Sequence, residues 1–129
     1  MTKEKAVAPD SPERNRTIAT EWLRAFNARE LDALLALYAE DAVHTSPKLR
    51  VKKPETLGQV RGKPALRAWW QDSFDRLPGL RYDVVSLTAD TNSVFMEYVR
   101  VCPDDANLPV AEVLEITGGV IVASRVYHG

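Results

Sequence analysis

Apolar residues recur along the first part of the chain at intervals of three and four. Ile18, Ala19, Trp22, Leu23 and Phe26 share one face, with Glu21, Arg24 and Asn27 opposite, which predicts an amphipathic helix. Ser11-Pro12-Glu13 starts it, with Ser as N-cap, Pro at the first helical position and an acid in the first turn. After a corner at Asn27-Ala28-Arg29, the spacing of Leu31, Leu34, Leu35 and Tyr38 predicts a second helix that breaks at Ala39-Glu40-Asp41. Ala42 to Ser46 is then a short strand, closed by Pro47. A third helix opens at Gly62-Lys63-Pro64 and ends at Pro78-Gly79. Its inward stripe is Leu66, Trp69, Trp70, Ser73, Phe74 and Leu77, with one tryptophan of the pair facing inward and its neighbour partly turned aside.

Beyond Gly79 the helical period disappears. Four strands are predicted: Arg81 to Leu87, Val94 to Cys102, Leu108 to Thr117 and Val120 to His128. Gly118-Gly119 forms a two-residue hairpin turn between the last two. The order is therefore helix, helix, strand, helix, then an antiparallel meander (α-α-β-α-β-β-β-β). Three helices gathered on one face of such a sheet define an α+β domain. Residues 12–129 form this single domain, and residues 1–11, polar and without periodicity, are expected to be a flexible tail.

Composition narrows the class. A chain of 129 residues buries enough surface for one core. A formal net charge of -1 and a pI of about 6.1 give a nucleic-acid role no global electrostatic support. The single cysteine, Cys102, has no internal disulfide partner, which suits a reducing compartment. The chain carries no long apolar run, and its first residues lack the apolar core of a signal peptide. A cytoplasmic protein without membrane contact is expected.

One segment stands apart. Residues 48–61 carry Lys48, Arg50, Lys52, Lys53 and Arg61 against the one acid Glu55. Two readings are open: a solvated loop, or a basic lid that draws anionic substrates or a partner.

The segments ARELDALLALYAEDAVHTSP, GKPALRAWW and EVLEITGGVIVASRVYHG, in that order and spacing, resemble the nuclear transport factor 2-like superfamily. Within it the chain is similar to the SnoaL-like and ketosteroid-isomerase-like branch, over residues 13 to 128. The resemblance implies a cystatin-like cone: a curved, mostly antiparallel sheet with an apolar pocket beneath its helices. It also implies a homodimer through the sheet's outer face. Function is left open, because this fold hosts isomerases, cyclases, hydrolases, dehydratases and binding modules. Ketosteroid isomerases combine an Asp base with a Tyr and a protonated Asp. The base position falls here on Ser46, the Tyr on Trp22, and the second Asp at or beside Glu112. Steroid isomerisation by that route is not expected.

The residues suggest other chemistry. His44 and Ser46 lie two apart on a strand and share a face, as do Glu112, Leu114 and Ile116. Under the resemblance both faces look into the pocket, which makes His44 and Glu112 a candidate acid–base pair, with an imidazole held by a carboxylate. A second reading makes His44 a hydrogen-bonded wall residue and Ser46 a strand terminator. Trp22, Phe26, Tyr38, Trp69, Trp70 and Phe74 are core by spacing, or partly the lining of a cavity for a flat apolar ligand. The resemblance turns Ser124, Val126 and His128 toward the pocket, and Arg125 and Tyr127 outward; the directions of Glu97, Tyr98 and Arg100 stay open. No nucleophile elbow, phosphate loop or metal-ligand spacing occurs.

The combined expectation is a small-molecule-binding domain, with a cofactor-free isomerase, cyclase or hydrolase as its enzymatic reading. It would act by general acid–base chemistry on an apolar cyclic or polyketide-like substrate. His44 leads as proton carrier, Glu112 is its partner, and the remaining pocket residues, Leu114 among them, bind the ligand. The alternative is a non-catalytic ligand-binding or dimerisation module of the same fold. No metal and no cofactor are expected.

Overall fold

A computed structural model describes residues 10–129. The expected tail lies outside the described residues, except for Asp10 and Ser11, which are already engaged. The Asp10 carboxylate accepts from the backbone N–H of Gly118 and Gly119, and Ser11 caps the first helix by accepting from Arg14 N.

Helix α1 spans Pro12–Asn27 and buries Ala19, Trp22, Leu23 and Phe26, the face its period predicts. Helix α2 is shorter than expected, Leu31–Leu35. Tyr38 is not on it. It opens strand β1, Tyr38–Thr45, and pairs with Ile121. The apolar spacing that suggested a longer helix is met by a strand, because the chain must turn at Ala36-Leu37 to join the sheet.

The basic segment also differs from a plain loop. It folds as helix α3, Pro47–Lys52, a short turn of 3-10 helix, Pro54–Thr56, and strand β2, Gln59–Arg61. The chain therefore has four helices and six strands among its described residues, not three and five. Helix α4, Lys63–Arg76, follows the third predicted helix closely. Both of its tryptophans are buried, so neither is turned aside. Strands β3, Arg81–Ala89, β4, Ser93–Val101, β5, Leu108–Thr117, and β6, Val120–His128, complete the meander. Gly118 and Gly119 both have positive φ, at 61° and 80°, as a tight two-residue hairpin turn requires.

The sheet order is β2-β1-β6-β5-β4-β3. Only β1 and β6 run parallel; every other pair is antiparallel. Register breaks in β1, at Val85 in β3, and between Glu115 and Ile116 in β5 bend the strands. The sheet curls around α1, α2 and α4 and leaves its other face open, the cystatin-like arrangement. Among the described residues no helix is long and apolar enough to cross a membrane.

Candidate functional site

Between the concave face and the helices lies a cavity of about 240 Å³. Its apolar wall is Trp22 and Phe26 from α1, Trp69 and Trp70 from α4, and Tyr82 and Tyr98 from the sheet. Tyr82 is sandwiched between Phe26 and Tyr98, with ring centroids 4.0 and 4.1 Å away. Its strand is held to α1 by Asn27, whose side-chain amide donates to Tyr82 O and accepts from Tyr82 N, both at 2.8 Å. A side chain thus imitates a neighbouring strand at the sheet edge.

Two buried polar systems reach the cavity. In the first, Trp22 Nε1 donates to Tyr38 Oη at 3.0 Å, and Tyr38 Oη donates to Ser124 Oγ at 3.1 Å. Ser124 Oγ lies 2.7 Å from His44 Nδ1. Only one direction of this chain gives every hydroxyl proton an acceptor. The indole can only donate, so Tyr38 passes its proton to Ser124, and Ser124 donates to His44 Nδ1. Burial drives the His44 pKa from 6.5 down to about 4, so the ring is neutral. With Nδ1 accepting, the proton resides on Nε2. His44 therefore offers the cavity a donor.

In the second system, Tyr98 Oη donates to Glu112 Oε1 at 2.7 Å. Glu112 is 1 % exposed, and its Oε2 has no hydrogen-bond partner. Desolvation raises its pKa from 4.5 to about 8, only partly opposed by the Tyr98 hydrogen bond. Burial, with the Glu112 charge nearby, also holds the hydroxyls of Tyr38, Tyr82 and Tyr98 well above the ordinary phenol range. All three remain proton donors.

His44 and Glu112 line one cavity but do not bond to each other. Ser124 occupies the imidazole and Tyr98 the carboxyl, because His44 pairs with Ser124 on β6 while Glu112 lies on β5 opposite Val126. The expected imidazole–carboxylate pair is thus replaced by two separate systems. Of the expected ligand-binding residues, Trp22, Phe26, Ser46, Trp69, Trp70, Val126 and His128 line the cavity. Tyr38, Phe74, Leu114 and Ser124 do not; all four are buried in the layer behind it. Ser46 has a structural task as well: its Oγ accepts from Lys48 N at 3.2 Å and caps α3.

Sequence reasoning missed Tyr82, and it left the inward direction of Tyr98 and Arg100 undecided. The alternation Val94, Met96, Tyr98, Arg100, all buried, was a readable signal for the latter two. Among the cations that line the cavity, Lys48 and Lys52 from α3 belong to the basic segment for which a lid was one of two readings, whereas Arg76 from α4 was missed. Among the described residues no group of three His, Cys, Asp or Glu side chains is placed to hold a metal ion.

Solved structures share this architecture. A SnoaL-like protein from Burkholderia thailandensis is 24% identical, with a TM-score of 0.84 over 95% of this chain and 99% of its own. A protein with a cystatin-like fold from Methylobium petroleophilum is 19% identical, with a TM-score of 0.79 over 95% of this chain and 80% of its own. A protein with a ketosteroid isomerase-like fold from Catenulispora acidiphila is 19% identical, with a TM-score of 0.71 over 85% of this chain and 83% of its own. At such identities the likeness is one of fold. No curated protein matches the sequence. The sequence profile of the SnoaL-like domain matches residues 19–124, and with it the helices, the curved sheet and most of the cavity wall, so this chain belongs to the SnoaL-like domain family within the nuclear transport factor 2-like superfamily.

Proposed function

We propose that the cavity binds a small, ring-bearing molecule and moves a proton on it without a cofactor, as an isomerase, cyclase or hydrolase would. The observation that carries this reading is Glu112: a carboxyl buried in an aromatic cavity, held by Tyr98 at one oxygen and unpartnered at the other. A carboxylate that titrates near 8 is a stronger base than an ordinary one and is still available near neutral pH. Glu112 takes a proton from the carbon beside a carbonyl and returns it elsewhere on the substrate. His44, neutral, donates Nε2–H to the carbonyl oxygen as negative charge builds there. The roles differ from those expected of the sequence, where His44 was the proton carrier.

The volume limits the substrate. About 240 Å³ equals roughly eight water molecules at ~30 Å³ each. This suits one or two rings and is tight for a steroid skeleton.

The test is hydrogen–deuterium exchange at the acidic carbon of 2-tetralone in D2O, followed by NMR. Wild-type protein should accelerate exchange, with a rate rising through about pH 8 as Glu112 loses its proton. Glu112→Gln should abolish the acceleration, and His44→Phe should reduce it by about 10²-fold or more, as loss of an oxyanion donor does. Acceleration that survives Glu112→Gln would remove Glu112 from the chemistry.

A second reading, ligand binding without turnover, is favoured by Ser46. Where the ketosteroid-isomerase pattern places a base, this chain spends the hydroxyl on capping α3. Binding of 2-tetralone with no exchange at any pH would support it. We also propose that the chain works in a reducing compartment such as the cytoplasm, which its buried free thiol at Cys102 suits. Self-association through the open sheet face, where Phe95 and Tyr127 are exposed, completes the proposal.

A further inference from the structure

The cavity has a charge that the chain as a whole lacks. Lys48, Lys52, Arg76 and Arg100 line it, with His128, against Asp105 and Glu112, on a protein of formal net charge -1. Lys48 and Lys52 are four apart on α3 and so share one face of it, and neither takes part in an ion pair among the described residues. Arg76 is neutralised in part by Asp72 at 2.8 Å.

Arg100 is the anomaly. Its side chain is 11% exposed, and its nearest carboxylate is Asp105 at 3.6 Å, beyond hydrogen-bonding distance and itself 58% exposed. No hydrogen bond to this guanidinium is made among the described residues. Its unpartnered donors are not sealed in the core but open to the cavity; holding a cation this deep is still costly, and a leucine would cover the same strand at no such cost. His128 feels the same field: burial, then the charges of Lys48 and Arg100, push its pKa below the ordinary value. Lys48, Arg100 and His128 thus converge at one end of the cavity.

That end is remote from Glu112. Arg100 pairs with Leu108 at the start of β5, and Glu112 lies four residues further along. At ~3.4 Å per residue the two backbones stand roughly 14 Å apart, and both side chains reach inward to shorten the span. Tyr82, paired with Arg100, and Tyr98, bonded to Glu112, stack on one another between them.

We propose that the ligand of this cavity is an arene or alicyclic carboxylate, with its carboxylate seated on Arg100 and flanked by Lys48, Lys52 and His128, and its ring between the aromatic walls. The guanidinium fork supplies paired donors of carboxylate geometry. The lysines steer the anion toward the opening. Glu112, at the far end, is left to meet the ring's reacting portion. The inference rests on the pocket reading above and narrows its substrate class.

The test is calorimetric titration with 2-naphthoate and with its neutral isostere 2-naphthamide, at low salt and at 0.5 M salt. Wild-type protein should bind the acid at least tenfold more tightly than the amide, with the preference shrinking as salt rises. Arg100→Gln should bring the two ligands to equal affinity by weakening the acid alone. Should Arg100→Gln fail to fold, the surface double variant Lys48→Gln/Lys52→Gln should still reduce the acid's affinity several-fold and leave the amide's unchanged. Equal binding of acid and amide by wild type would overturn the anion assignment and leave the pocket reading intact. Binding of neither overturns both.

Discussion

Glu112 and His44 are buried in their neutral forms, and their effects on stability have opposite signs. Glu112 titrates at about 8 in the fold and 4.5 ordinarily. Its contribution is complete below about pH 4.5 and is lost as pH rises toward 8, because the unfolded chain sheds that proton first. His44 titrates at about 4 in the fold and 6.5 ordinarily. Its contribution is complete above about pH 6.5 and is lost as pH falls toward 4. Between about 4.5 and 6.5 the two slopes cancel, and above 6.5 the Glu112 loss dominates. Urea-unfolding midpoints should show this as a decline from about pH 6.5 to 8. Glu112→Gln, which cannot ionise, should remove the decline, so that the variant gains on wild type steadily from about pH 4.5 to 8. A constant difference across that range would mean that the buried carboxyl is not proton-linked to folding. Their burial follows from strand alternation, which the sequence displays; their partners do not, because Ser124 and Tyr98 come from strands that only the sheet register sets beside them.

Among the elements, α4 depends on a residue outside itself. Arg29, with φ at 60°, sends its guanidinium to the end of the helix, where Nη1 donates to Phe74 O and Nη2 to Leu77 O and Leu80 O. Phe74 O would otherwise be unsatisfied where the helix stops, while Leu77 O also accepts from Leu80 N. The guanidinium also lies 5.1 Å from the Phe74 ring centroid. Arg29→Ala should cost about 1–3 kcal/mol, and amide exchange should quicken first in residues 76–80, beside the cavity. Uniform loss of protection would instead point to a general effect on α1 and α2. The Ser-Pro start of α1 was readable, and the same signal recurs at Ser46-Pro47, where it was taken for the end of a strand. Helix α3 has six residues and β2 three, too few for a hydrophobic period to show. The basic segment therefore looked structureless, although capping chemistry marked where its helix begins.

For the whole molecule, the open face of the sheet has no covering layer among the described residues. Phe95 and Tyr127 are 45% and 52% exposed there. Val113 pairs with both Phe95 and Arg125, and Ala111 pairs with Tyr127. Polar links rim the patch, Ser86 to Glu97 and Arg125 to Glu115. For the self-association proposed above, sedimentation should find a dimer for wild type and a monomer for Phe95→Lys/Tyr127→Lys, with the circular dichroism spectrum unchanged. A monomeric wild type at about 100 μM would end the proposal, since stable dimers of typical interface area bind well below that concentration.

Apart from α3, the 3-10 turn and β2, the order of helices and strands was determined by the sequence alone, because the periods of 3.6 and 2, the Ser-Pro and Gly-Lys-Pro starts and the Gly-Gly turn are local signals. The same local alternation showed which residues of β5 and β6 share a face, while only the resemblance implied which of those faces looks inward. Which side chains line the cavity was decided by the tertiary structure. Tyr38, Phe74, Leu114 and Ser124 have apolar-face positions equivalent to those of the lining residues, yet the curl of the sheet seats them one layer deeper. Arg100, Lys48 and Arg76 lie far apart in sequence and line one cavity only because β4, α3 and α4 pack around it. Neither depth nor convergence has a period along the chain; both arise from distances between elements, which only the packed molecule defines.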